Sequence, residues 1–290
     1  MISSQAGPFL KWAGGKQGIS RSLASLFPPD FRRYYEPFVG GGSVLFTVRP
    51  ERAVIGDANE WLIDAYRAIR EDWERVAEIL DELENTKEEY MRVRGVLPQT
   101  LPLFQRAAHL VYLNKTCFRG LFRVNRMGQF NVPYGQYDRR YYDPNNLKMV
   151  AEVLENIEVR RGDFELCLHD ATEGDFVYMD PPYYKLGGYS DFNRYTKDKF
   201  KEHDHFRLAA FCRELDPRGI RWAVSNSNTD FIRHLFDGYN LIPVSNRREI
   251  NLNSRNRNIT ELLITNYTSA SQFAEERLFE PSNSTTQSTS

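Results

Sequence analysis

The chain has 290 residues, enough for one large domain or two small ones, and an ordinary globular composition with 41% hydrophobic and 27% charged residues. Its 38 Lys and Arg against 39 Asp and Glu give a net charge of −1, which excludes an overall basic field and confines any polyanion-binding surface to a local patch. The three cysteines, Cys117, Cys167 and Cys212, lack metal-ligand spacing, which points to free thiols rather than a disulfide framework or a zinc site, so no metal is expected.

The first residues carry no basic-then-apolar pattern and no apolar run is long enough to span a bilayer, so a cytoplasmic location without a membrane partner is expected. Tyr34-Tyr35-Glu36-Pro37-Phe38 reads as the first strand and runs into Val39-Gly40-Gly41-Gly42-Ser43, followed by a helical stretch from Val44 to Val48. A second strand, Ala53 to Gly56, ends at Asp57. Strand, glycine turn, helix, strand and acidic residue form a nucleoside-binding half-fold, in which glycines allow close backbone approach and the carboxylate takes ribose hydroxyls. Phe38-Val39-Gly40-Gly41-Gly42 is not Gly-x-Gly-x-x-Gly, which favours a non-phosphorylated nucleoside over a dinucleotide. The competing reading is a glycine turn with a packing role alone.

Asp64 to Arg94 is periodic and charged, and predicts two helices with an acidic, solvated face. From Arg106 to Lys148 the balance reverses: Lys115, Arg119, Arg123, Arg126, Arg139 and Arg140 lie between those ends, against Asp138 and Asp143 alone. Tyr112, Phe118, Phe122, Phe130, Tyr134 and Tyr137 interleave with them. Basic side chains hold phosphates, and rings stack on or wedge between bases, so this stretch predicts an irregular nucleic-acid-binding surface. A core with a solvated basic face is the alternative.

Strand and helix alternate again through Ile157–Arg160, Phe176–Met179, a helix near His203–Leu215 and Arg221–Asn226, which implies a mostly parallel sheet. Asp180-Pro181-Pro182-Tyr183 follows the second of these strands, at the carboxyl end where open α/β sheets place their ligands. The two prolines stiffen the loop and bias Asp180 to an extended conformation, leaving a carboxylate at one end and a ring at the other. That pair suits a flat, amine-bearing group; a simple turn exit is the plainer alternative. Leu241–Val244 and Glu261–Asn266 then flank a stretch with Arg247, Arg248, Arg255 and Arg257 against Glu249 alone. It reads as a basic hairpin able to enter a DNA groove, or as a charged edge that blocks aggregation. The Ser/Thr-rich tail, residues 269–290, is expected to be disordered.

Several motifs in this order carry a resemblance. Phe9-Leu10-Lys11-Trp12-Ala13-Gly14-Gly15-Lys16, Glu36 to Ser43, Asp57-Ala58-Asn59, Tyr112 to Lys115, Gly120 to Arg123, Gly128 to Gly135 and Asp180 to Tyr183 together resemble the Dam-type (D12 class) DNA adenine-N6 methyltransferases, from about Phe9 to Tyr267. The resemblance implies a Rossmann-like methyltransferase sheet formed by residues 1–60 and 146–268, with an inserted, mainly helical target-recognition domain at 61–145. It implies S-adenosyl-L-methionine as cofactor and an adenine in double-stranded DNA as substrate. Trp12, Lys16, Pro37, Phe38, Gly40, Asp57, Asp163, Phe164 and Asp180 would line the cofactor site, and Asp180, Pro181, Pro182 and Tyr183 would carry the chemistry.

Arg123 would read a guanine, Leu121 and Pro133 would touch base edges, and Lys11 would read the other outer base pair, which makes GATC the expected target. Asn114, Phe118, Arg119, Asn131 and the four hairpin arginines complete the expected DNA-binding set. Phe118 stands where the family often has tyrosine, losing a hydroxyl contact, and Arg119 where it has asparagine, adding a charge. A cognate restriction endonuclease would be compatible with this reading. Competing classes are the same chemistry at another DNA sequence, a DNA-binding regulator of weak or no catalytic activity, and an RNA adenine or protein glutamine methyltransferase; the last group more often carries Asn at the first motif position.

Overall fold

The computed structural model describes residues 5–184, 200–245 and 260–268. In chain order the elements are α1 (Ser20–Ala24), β1 (Tyr34–Glu36), α2 (Leu45–Val48), β2 (Ala53–Asp57), α3 (Glu60–Asp81), α4 (Lys87–Arg94), α5 (Leu103–Thr116) and α6 (Pro144–Leu154). They continue with β3 (Ile157–Arg161), α7 (Phe164–Cys167), β4 (Phe176–Met179), α8 (Glu202–Leu215), β5 (Arg221–Ser227), α9 (Asp230–Leu235), β6 (Asn240–Ser245) and β7 (Thr260–Thr265).

The strands form one seven-stranded sheet in the order β3-β2-β1-β4-β5-β7-β6. The five strands from β3 to β5 are parallel, while β7 runs antiparallel to both β5 and β6. Strands buried on both faces explain why β1, β2 and β4 read as nearly continuous apolar runs. Alternate residues feed opposite cores: Tyr34, Ile55, Phe176 and Tyr178 on one face, Tyr35, Val54, Val177 and Met179 on the other. Helices α7, α8 and α9 supply buried residues to the second core.

The helical stretch between β2 and β3 belongs to the first core. Helix α3 begins at Glu60, capped by Asn59, whose side chain accepts the Leu62 N–H at 3.1 Å. Arg67 and Arg70 on it donate to the carbonyls of Val159 and Ile157 in β3, at 3.0 and 2.8 Å. The helix breaks its regular geometry at Asp72, whose carboxylate recaps it by accepting the Arg75 N–H. The expected domain division near residue 61 thus falls within the first turn of a helix that packs on the sheet, and one continuous core runs from Phe9 and Tyr34 through Tyr66 to Tyr90 and Tyr112.

The expectation of an irregular surface from Arg106 onward is corrected in its first part. Residues 103–116 form a helix whose Ala107 to Asn114 are all buried. Arg106 turns back to an ion pair with Asp64, and the Tyr112 hydroxyl donates to the Glu84 carbonyl at 2.7 Å. Phe122 and Phe130 pack edge to face 5.8 Å apart, beside Trp61. Counting basic and aromatic residues missed the run of buried apolar residues between Arg106 and Lys115, which marks a core helix.

Among the described residues, no helix is long and apolar enough to cross a membrane, and no group of three or more His, Cys, Asp or Glu is placed to hold a metal ion. Gly56 in β2 lets α7 close on the sheet: a Cβ there would stand 2.7 Å from the Cys167 sulfur. Gly56→Ala should therefore cost about 1–3 kcal/mol by overpacking, read by denaturant unfolding, and adding Cys167→Ala should recover part of the loss.

Candidate functional site

Strands β1 and β4 lie side by side and parallel, pairing Tyr34 with Phe176 and Tyr35 with Val177. Beyond their carboxyl ends the chain turns away from β1 toward β2, while β5 lies on the other side of β4. The sheet order reverses there, and a crevice opens as in other open α/β sheets. A cleft of about 940 Å³ occupies this point. All nine residues of the expected cofactor set line it: Trp12, Lys16, Pro37, Phe38, Gly40, Asp57, Asp163, Phe164 and Asp180; so do Pro181, Pro182 and Tyr183.

The glycine turn forms one wall. Gly40 has φ +49°, and a Cβ on it would stand 2.8 Å from the Trp12 ring, so only glycine lets the turn lie against the indole. Its N–H donates to Asp57 Oδ2 at 3.2 Å, and its carbonyl accepts the Tyr66 hydroxyl at 2.9 Å. Asp57 Oδ1 accepts the Asn59 N–H at 2.8 Å. Burial pushes the Asp57 carboxyl up to about 6, although these N–H donors pull it down. On the neighbouring wall Asp163 caps α7 and pairs with Arg207, whose guanidinium lies 4.7 Å from the centre of the Phe164 ring. Phe38 packs against Phe164 at 5.6 Å.

The opposite wall is Asp180 to Tyr183. Lys16, itself buried, places Nζ 2.9 Å from Asp180 Oδ1 and 3.9 Å from Glu261 Oε2, and donates to the Gly14 carbonyl. Asp180 Oδ1 is buried and faces the Lys16 ammonium across this ion pair. Burial pushes the Asp180 carboxyl up to about 6; Lys16 opposes the shift and Glu261 adds to it. The Tyr183 hydroxyl donates to Glu261 Oε2 at 2.8 Å, and Lys16 Nζ lies 4.5 Å from the ring centre. Asn226 at the end of β5 accepts the Tyr184 N–H at 3.2 Å and so fixes the exit of the loop.

Glu36 and Glu261 also line the cleft and were not among the expected site residues. Glu36 ends β1 within the Glu-Pro-Phe motif, so its position beside the glycine turn was a usable signal. It accepts the Tyr34 hydroxyl at 2.8 Å, and burial pushes its carboxyl up to about 8. Glu261 carried no such signal, because its neighbours in space come from the other end of the chain. Among the described residues, six carboxyl groups (Glu36, Asp57, Asp163, Asp180, Asp204, Glu261) and three cations (Lys16, Arg161, Arg207) line this cleft.

A second cleft of about 1020 Å³ adjoins the first, sharing Ala58 and Arg161, and is lined by Trp61, Arg123, Arg126 and Asn131 among others. Residues 117–135 form a loop closed by bridges between Cys117 and Tyr134 and between Val124 and Phe130. Phe118, Arg119, Arg123, Asn131 and Pro133 are exposed on it, Leu121 partly so. Arg119 adopts φ +59° with its N–H bonded to the Tyr137 hydroxyl, and Arg123 donates to the Asn131 carbonyl at 2.9 Å. Lys11 is exposed beside this loop.

Asn114, expected to contact DNA, is fully buried. Its amide accepts the Lys11 N–H at 2.8 Å and donates to the carbonyls of Lys11 and Gly120 at 2.9 and 3.1 Å, which makes it a tie between those segments instead. Its place on the inner side of α5 gives the reason. Arg247, Arg248, Arg255 and Arg257 lie outside the described residues.

The Glu36 shift has a stability consequence. Its folded-state pKa is raised, so its contribution is intact below the ordinary carboxylate range and declines as pH rises toward about 8. Glu36→Gln should gain stability relative to wild type between roughly pH 5 and pH 9, measured as the difference in denaturant midpoint at the two ends.

Comparison with known proteins gives a family match. The model of the D12 class N6 adenine-specific DNA methyltransferases matches residues 12–250. The chain is 40% identical over 285 residues to a protein of Methanocaldococcus jannaschii named Type II methyltransferase M.MjaIII, covering 90% of this chain and 99% of that one. It is 36% identical over 271 residues to Type II methyltransferase M1.LlaDCHI of Lactococcus lactis subsp. cremoris, with 90% and 95% covered. It is 31% identical over 266 residues to a DNA adenine methylase of Vibrio cholerae, again with 90% and 95% covered.

Proposed function

Since the chain belongs to the D12 class of N6 adenine-specific DNA methyltransferases, we propose that its cleft takes S-adenosyl-L-methionine on the glycine-turn side and the amine of a flipped-out adenine of duplex DNA on the Asp180–Tyr183 side, at GATC. The observation that carries the reading is Asp180: a buried carboxylate paired with the Lys16 ammonium, on a stiff loop beside an aromatic ring, across the crevice from the glycine turn. The residues fit such a cofactor. The cleft has a surplus of carboxyl groups, Gly40 leaves backbone room beside Trp12, and Asp57 offers acceptors at the end of β2. Trp12, Phe38, Gly40, Asp57 and Phe164 would hold it, and when bound it supplies an electrophilic methyl group.

An adenine amine stacked in a duplex is out of reach, so the base must leave the stack, at a cost of roughly a few kcal/mol. Tyr183 offers a ring for it to stack on. Asp180 and a carbonyl of the Pro181–Pro182 segment accept the two amine hydrogens. Held this way, the nitrogen turns its lone pair out of the ring plane for a direct displacement, and the Asp180 carboxylate supports the positive charge that develops on it. Lys11, Leu121, Arg123 and Pro133 are proposed to read the bases, and Phe118, Arg119, Asn131 and the basic segment between β6 and β7 to hold the duplex.

The deciding experiment is labelled-methyl transfer to duplexes varied at each base of GATC. The expected outcome is label on adenine N6, strongest in the intact sequence; uniform labelling of all variants would refute the target assignment and leave the chemistry standing. Asp180→Ala should reduce transfer to near background, and activity close to wild type would sink the mechanism. Arg123→Ala should relax discrimination at one guanine, by about 1–3 kcal/mol, while leaving the other positions discriminated.

A further inference from the structure

Glu261 lies on β7, opposite Val244 in β6 and Ser227 in β5, and far in sequence from every motif that forms the cleft. Its carboxylate nonetheless reaches the Asp180–Tyr183 wall. One oxygen, Oε2, accepts the Tyr183 hydroxyl at 2.8 Å and stands 3.9 Å from Lys16 Nζ. The same ammonium lies 2.9 Å from Asp180 Oδ1 and covers it. Lys16 therefore sits between two carboxylates, nearer to the one that the reaction needs. A base amine that takes Asp180 as its acceptor has to displace a cation from it. A buried ammonium cannot be left without a counter-charge, since the desolvation cost of an unpaired ion is several kcal/mol.

We propose that Glu261 is a positioning residue of the methyl-transfer site: it anchors the Tyr183 ring through its hydroxyl and receives Lys16 when the amine takes Asp180. The inference rests on the reading that Asp180 accepts the adenine amine. It assigns Lys16 two positions, one that guards Asp180 in the empty cleft and one against Glu261 in the engaged cleft. The ring that would stack on the base is held by the same group that takes the cation, so uncovering the acceptor and orienting the platform are one event.

Among the described residues, the charged and titratable groups facing Asp180 are Lys16 from the N-terminal segment, Tyr34 and Glu36 from β1, Tyr178 from β4, Tyr183 from its own loop and Glu261 from β7. Asp180 accepts the amine only as a carboxylate, so activity falls as pH drops through its folded-state value, about 6. The negative charge of Glu261 raises that value; removing it lowers the value and moves the acid limb to lower pH.

The test compares wild type, Glu261→Gln, Glu261→Ala, Tyr183→Phe, the Tyr183→Phe/Glu261→Ala double variant and Asp180→Ala in steady-state methylation of a GATC duplex. Thermal midpoint and calorimetric binding of S-adenosyl-L-methionine are measured on each. Glu261→Gln should lower kcat by about tenfold or more with KM for DNA changed less than about twofold, and should shift the acid limb of kcat/KM to lower pH. The losses from Glu261→Ala and Tyr183→Phe should fall short of adding in the double variant, because both break the same anchor. A wild-type kcat and acid limb in Glu261→Gln overturns the proposal. A loss of kcat that merely follows a lowered thermal midpoint, with the acid limb in place, overturns it as well. So does full additivity in the double variant. If Asp180→Ala is inactive while Glu261→Gln behaves as wild type, only the Glu261 inference falls; if Asp180→Ala remains active, the reading beneath it falls.

Discussion

The pairing of β1 with β4 is the constraint on which the rest of the molecule depends. Two parallel strands buried on both faces must run on into connections that leave in different directions, and the sheet reverses its order between them. The glycine turn after β1 and the proline loop after β4 are therefore brought face to face by topology alone, although they are far apart in the chain. Every later feature of the site is a way of furnishing the gap between them.

Its furnishing is mainly electrostatic. Glu36, Asp57 and Asp180 are all partly or wholly withdrawn from water, and burial raises the proton affinity of each. Titratable groups shifted by burial and gathered in one cleft mark a candidate ligand site. Backbone N–H donors hold Asp57 and the Lys16 ammonium pairs with Asp180, so the two carboxylates are kept in order by groups of very different mobility. The first suits a group that must stay in place, the second one that must change partners.

The sheet was legible in the sequence because short apolar runs such as Phe176–Met179 and residues 222–224 alternate with helical stretches, and glycines and prolines punctuate the chain between them. The cleft was legible for the same reason: Gly40, Asp57 and Asp180 stand at strand ends, where position in the fold follows from position in the strand. What escaped were relations between distant segments. Arg106 and Tyr112 looked like surface chemistry until α5 packed against α3. Asn114 was expected to contact DNA because its motif carries the family resemblance, and a motif match gives no sign of which way a side chain faces. Glu261 looked like the polar start of an edge strand, and only the antiparallel insertion of β7 beside β5 brings it to Tyr183.

The buried amide of Asn114 grips the backbone of Lys11 on both sides and also holds Gly120, next to the loop that presents Arg123. Lys11 is followed at once by Trp12, and five residues on by Lys16, in the wall of the cleft. On the proposed assignment, one short stretch of backbone thus touches an outer base pair at one end and the reacting carboxylate at the other. On that assignment a poor fit at the edge of the site would act, through that stretch, on the ammonium that has to move. Fidelity would then be a matter of timing as much as of adhesion, with a wrong sequence held and still modified slowly.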